Sequence, residues 1–172
     1  PIALDAGPLR FPTEIAVIGF PQRDPWNLET LADQDAVFEG KFGRKCLQPG
    51  KLGPPMGYRP RSWPAVDALV HDASTLGGNS GSVVLSVGSG AAVGLHFAGF
   101  HRKHNHCVAM RELARDPRVR DLLAFENAPA ADDPWSAHWL ADQELQPQQP
   151  VRRGPLELTV SFGPPRILRE PQ

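Results

Sequence analysis

Apolar and polar positions along the chain change over in short stretches and never hold a helical period for long. Residues 14–20, EIAVIGF, form an apolar, β-branched run closed by Pro21, the pattern of a buried strand. A charged stretch with room for one helical turn follows. Residues 37–42 and 45–48 then read as two further strands, the second ended by Pro49-Gly50. Residues 49–64 hold five prolines and read as a long surface loop. Residues 68–72 read as a strand, and residues 74–81, STLGGNSG, as a polar glycine-rich turn. Residues 82–87 and 91–97 flank Gly88-Ser89-Gly90 as a hairpin, and 106–110 form one more strand. Asp116 followed by Pro117 predicts a helix N-cap and first helical position, with Val119, Leu122 and Leu123 as the apolar face of that helix. The expected fold is all-β: an antiparallel six-stranded barrel, then a C-terminal helix and an extended tail.

This organisation gives an opening linker at residues 1–13, a barrel with its helix at 14–126, and a linker or tail at 127–172. Within the tail, Asp133-Pro134 repeats the helix-start signal ahead of Trp135, Trp139 and Leu140. Residues 146–155 are rich in Gln, Pro and Arg and read as a spacer, and 156–162, LELTVSF, as a lone strand. A lone strand cannot stand by itself in water, so it must pair elsewhere or begin a further domain, such as an effector tethered to the barrel.

Composition narrows the function classes. The net charge of −1 offers no basic excess for nucleic acid or an anionic membrane surface. No apolar run reaches transmembrane length. Cys46 and Cys107 are the two cysteines, too few for a disulfide-rich scaffold and wrongly spaced for zinc, and they read as two buried free thiols. No cofactor or metal is expected. The first residue, Pro1, suits a processed product.

The chemistry concentrates in residues 71–82, HDASTLGGNSGS, where a serine sits between glycines on a tight turn. A serine hydroxyl is a weak nucleophile and must be presented to a base, while nearby N–H groups must point at a developing oxyanion. Gly77 and Gly78 free the backbone to turn sharply, so that the amides of Gly78 and Ser80 can face one point.

This segment resembles the nucleophile motif of chymotrypsin-fold serine peptidases, Gly-Asp/Asn-Ser-Gly-Gly/Ser. The resemblance is strongest to bacterial trypsin-like domains of the glutamyl endopeptidase group, and it runs over residues 14–126. It implies the second barrel of that fold, with Ser80 as nucleophile and the amides of Gly78 and Ser80 as oxyanion hole. Downstream, residues 92–99, AVGLHFAG, resemble the strand lining the primary specificity pocket. By that resemblance Phe97 and Gly99 bond the substrate backbone, and His96 sits in the pocket with Thr75 on the opposite wall. A His with a Thr there implies cleavage after an acidic residue, held by a charge-assisted hydrogen bond. The implied partners are a protein substrate and an N-terminal barrel supplying the catalytic His and Asp, with no direct role for nucleic acid or membrane.

The other histidines carry blander expectations. His71 and Asp72 are neighbours on a strand, so they face opposite sides and cannot form a couple. His101, His104 and His106 cluster with Cys107 in HRKHNHC, which reads as a polar rim of the cleft rather than a metal site, and His138 reads as exposed. A binding module that keeps the cleft without the chemistry is the alternative to an enzyme.

Overall fold

The computed structural model describes residues 1–25, 31–58, 66–100, 103–132 and residue 136. Six strands close into one antiparallel barrel: β2 (Thr13–Gly19), β3 (Cys46–Tyr58), β4 (Val66–His71), β5 (Val83–Ser86), β6 (Ala92–Phe100) and β7 (His104–Ala109). Around the barrel the order is β5-β2-β3-β4-β7-β6, and β6 pairs with β5 to complete the ring. A two-residue strand, β1 (Leu4–Asp5), lies parallel to both β6 and β8 (Phe125–Glu126) on the outside. The segment expected as a linker at 1–13 therefore contributes a pairing strand and the fully buried Ala6.

Alternation builds the interior. Ile15, Val17, Leu52, Leu69, Val84, Val93 and Cys107 are nearly or fully buried and form one cluster inside the ring. Burial of a Leu, Ile or Val side chain is worth about 1.5–3 kcal/mol relative to exposure, so this cluster is the main drive to closure. A second cluster of Ala6, Ala92, Met110 and Ala114 packs the returning chain against the outer face of β6, with Leu4 and Phe125 at its edge.

Several expectations change. Residues 37–42 are not a strand: Leu31–Phe38 forms helix α1, and Gln34 and Phe38, four apart, are its buried side chains. Val37 and Phe38 belong to a run, LADQDAVF, in which that helical spacing outweighs the β-branched valine. Residues 49–58 are not a loop but the greater part of β3. Residues 46–52 of β3 pair with β2 and residues 52–58 with β4, with a register shift between Gly53 and Pro55. Each half thus has an unpaired edge, where the missing N–H of Pro49, Pro54 or Pro55 costs no ladder bond.

Beyond the barrel come α2 (Met110–Leu113) and α3 (Pro117–Arg120). Asp116 caps α3, accepting from the Arg118 amide at 3.0 Å, and Pro117 stands in its first turn. The helix is a single turn. Leu122 is 81% exposed and Leu123 46%, so they lie beyond α3 and pack no face. Cys107 is buried but Cys46 is partly exposed, which corrects the expectation of two buried thiols; both are free. The expected helix start at 133–134, the strand at 156–162, His101, His138 and residues 59–64 of the expected loop lie outside the described residues. Among the described residues no helix is long and apolar enough to cross a membrane.

Candidate active site

The turn joining β4 to β5 carries Ser80, and its shape follows from hydrogen bonds fixed on both sides. The Asn79 amide donates to Leu76 O at 3.1 Å and the Ser82 amide to Asn79 O at 2.9 Å, closing two successive turns. Gly81 N donates to His96 O at 2.8 Å and His96 N to Ser82 O at 2.9 Å, tying the turn to β6. From the other side Gln22 N donates to Gly77 O at 2.8 Å. Asn79 is fully buried; its side chain donates to Leu76 O at 3.3 Å and accepts from the Ser82 hydroxyl at 3.4 Å. Gly19 of β2 leaves room for this pair, since a Cβ there would stand 1.9 Å from Ser82 Oγ.

Positive φ angles at Gly78 (+86°) and Gly81 (+83°) bracket the serine. Ser80 is exposed, and its hydroxyl donates a long bond of 3.4 Å to Phe97 O. Among the described residues the amides of Gly78 and Ser80 have no protein acceptor. No described histidine hydrogen-bonds Ser80 Oγ.

Beside the serine lies a cleft of about 630 Å³ that brings Ser80, Thr75, His96 and Gly99 together. Its far wall is α1, with Gln34, Val37 and Phe38. Two expected site residues stand behind this surface rather than on it. Gly78 backs onto Phe20. Phe97 offers its carbonyl to Ser80 while its ring packs edge-on against Tyr58, centroids 5.2 Å apart.

At the floor, His96 Nδ1 and His71 Nε2 are 3.1 Å apart, with His71 2% and His96 4% exposed. Burial pushes each imidazole down to about 4, and neighbouring histidines add to the effect; Asp72 beside His71 and a hydrogen bond with the His106 backbone at His96 oppose it. Both rings are therefore neutral at neutral pH. Asp72 turns outward and accepts from Lys51 N at 2.6 Å, so it and His71 point apart. His106 lies buried on β7 among Tyr58, Phe100 and His104, and burial likewise lowers its pKa. Among the described residues no three His, Cys, Asp or Glu side chains converge to hold a metal.

Asn105 is the site residue that sequence reasoning missed. It pairs with Gly99 on β6 and with His71 on β4. Its Oδ1 accepts from the Thr75 hydroxyl at 2.8 Å and its Nδ2 donates to Ala73 O at 2.7 Å. The only available signal was its place within HRKHNHC, and no local pattern says which strands face it.

No protein-family model matches the chain. It aligns at 33% identity over 109 residues with a protein of Lysobacter enzymogenes named as a probable serine protease, taking in 56% of this chain and 26% of that protein. The chain thus spans about a quarter of the length of this curated relative. A closed six-stranded antiparallel barrel together with this similarity fits a trypsin-like peptidase.

Proposed function

We propose that this chain is the nucleophile-bearing barrel of a serine endopeptidase, with Ser80 attacking the peptide carbonyl to form an acyl-enzyme. The observation that carries this reading is an exposed serine whose turn leaves two neighbouring amides, Gly78 and Ser80, without protein acceptors. Such amides can stabilise the oxyanion of a tetrahedral intermediate. The general base and its orienting acid come, on the pattern of the family it resembles, from a separate N-terminal barrel that presents a histidine to Ser80 Oγ.

In this reading Phe97 O and the Gly99 backbone hold the substrate chain, and the side chain before the scissile bond enters the cleft between His96 and Thr75. A carboxylate entering there favours the protonated form of the otherwise neutral His96 and is then held by it, so this reading expects cleavage after an acidic residue. In the full-length protein Ser80→Ala abolishes peptide hydrolysis, and a fluorophosphonate probe labels Ser80 in the wild type; full activity of the variant overturns the reading.

One observation favours a second reading, a binding module without chemistry: the Ser80 hydroxyl is bonded to Phe97 O rather than to a base. Folded full-length protein that takes no fluorophosphonate label is the result this second reading expects.

A further inference from the structure

Asn105 lies on β7, half-buried, opposite Gly99 on β6 and His71 on β4, and lines the cleft beside Thr75 and His96. Gly99 leaves it room: a Cβ there would stand 2.1 Å from Asn105 Oδ1 and 3.7 Å from Thr75 Oγ1, so the carboxamide fills the gap between β6 and the Thr75 wall. Two neighbours fix which way the amide faces. Only its nitrogen can meet the carbonyl of Ala73, 2.7 Å away, and its oxygen accepts from the Thr75 hydroxyl at 2.8 Å. Turned over, the amide would set its oxygen against Ala73 O. An amide nitrogen carries two hydrogens. Ala73 takes one, and the other has no acceptor among the described residues.

The donors next to it are committed. Thr75 has one hydroxyl proton, and it goes to Asn105. The His96 ring is engaged by His71 at Nδ1, 3.1 Å away, and by a hydrogen bond with the His106 backbone. A carboxylate drawn out of water needs N–H or O–H partners for its lone pairs as well as a neighbouring charge. Of Thr75, His96 and Asn105, it is Asn105 that holds an uncommitted N–H.

We propose that Asn105 is a specificity-determining residue of the cleft, its second Nδ2–H donating to the carboxylate of an acidic side chain that precedes the scissile bond. This rests on the peptidase reading of Ser80 and on the acidic preference that goes with it. His96, once protonated, supplies the charge, and Asn105 supplies a directed hydrogen bond to one carboxylate oxygen. Thr75 acts behind it as a positioning residue, because its hydroxyl keeps the amide from turning over.

The test is the ratio of kcat/KM values of the full-length protein on two peptides identical except for Glu or Leu before the scissile bond. The wild type should favour the Glu peptide. Asn105→Ala should lower the Glu-to-Leu ratio at least about tenfold, the usual worth of a hydrogen bond to a charged group. Asn105→Asp, which keeps the shape and exchanges the N–H for a like charge, should lower it further. Thr75→Val should lower the ratio less than Asn105→Ala does, and Thr75→Ser, which keeps the hydroxyl, should retain most of it. Because a general loss of folding or chemistry falls on both peptides, the ratio reads recognition of the side chain alone. A wild type without a preference for the Glu peptide, a ratio unchanged by Asn105→Ala, or a Thr75→Ser variant no better than Thr75→Val each overturns the proposal. Fluorophosphonate labelling of the wild type reads the peptidase assignment separately: with Ser80 labelled, those results sink the role of Asn105 only, and with Ser80 unlabelled the reading beneath it falls.

Discussion

Gly78 stands with its α-carbon against the backbone of Phe20: a Cβ built there would lie 2.5 Å from the Phe20 carbonyl oxygen and 2.6 Å from Gln22 Cγ. The first contact is with backbone held by the Gln22–Gly77 hydrogen bond, which cannot swing away as a long side chain would. The φ of +86° adds a strain of about 1–2 kcal/mol for any residue with a side chain. The sequence places glycine here because the turn presses close to the Phe20 backbone at a positive φ.

Gly78→Ala should therefore cost both stability and function. Moving this amide removes one of the two donors assigned to the oxyanion, and loss of one such donor costs about 10²–10³ in kcat. Steady-state kinetics on the fraction that remains folded should show a fall of that size in kcat with a small change in KM, alongside a clearly lowered melting point from the clash and the φ strain. A variant that keeps wild-type kcat would remove Gly78 from the oxyanion site.

Gly99 and Asn105 give a second test of close approach. A Cβ on Gly99 would stand 2.1 Å from Asn105 Oδ1, the atom that accepts from Thr75. Gly99→Ala must displace the Asn105 side chain and break that bond, so kcat/KM for the preferred substrate should drop at least tenfold. Combining it with Asn105→Ala removes the clash. The double variant should then be no worse than Asn105→Ala alone, a coupling that a double-mutant cycle measures directly. Additive losses would show that the two residues do not meet.

How far the site could be read in advance depends on whether its parts are local. Ser80 and Gly78 lie in one run of turn residues whose chemistry is written within six positions, and the structure gives that run its turn. Thr75, His96 and Gly99 line one cleft with Ser80. Asn105 and His71 belong there through strand register: Asn105 opposes Gly99 on one side and His71 on the other. Register between strands distant in sequence leaves no local mark. The same holds for the fold. The β-branched run of β2 announces itself, whereas β3 continues through Pro49 and Pro55 because its two halves have different partners. Helix α1 is short, and a valine-phenylalanine pair at its end reads equally well as a strand.

The two cysteines should differ sharply in reactivity. Cys107 is fully buried inside the barrel, and burial pushes its thiol up to about 12, so at pH 8 it holds almost no thiolate. Cys46 starts β3 partly exposed, its thiol donating to Lys41 O at 3.5 Å. Iodoacetamide at pH 8 should modify one cysteine per chain in native protein, mapped to Cys46 by peptide mass, and both after denaturation. Native labelling of Cys107 would mean that the barrel opens on the timescale of the reaction.

The histidine pair sets a pH window for stability. His71 and His96 titrate near 4 when folded, against about 6.5 in an unfolded chain. Between those values the unfolded rings bind protons that the folded rings refuse, so stability falls as pH is lowered from about 6.5 to 4 and is fully present above 6.5. Each ring alone corresponds to roughly 3 kcal/mol over the whole interval, and the 3.1 Å contact means that the two titrate as a pair. Asp132 has a pKa lowered by Arg115, so its own contribution is lost only below the ordinary carboxylate range, outside this window. Urea melts should thus show a midpoint steady from pH 8 to 7 and dropping steeply between pH 6 and 4.5. Replacing one ring, His71→Phe, should reduce that drop without abolishing it, since His96 and the buried His106, whose pKa burial also lowers, remain. A midpoint that stays level down to pH 4.5 would show that the rings accept protons in the folded barrel as readily as in the unfolded chain.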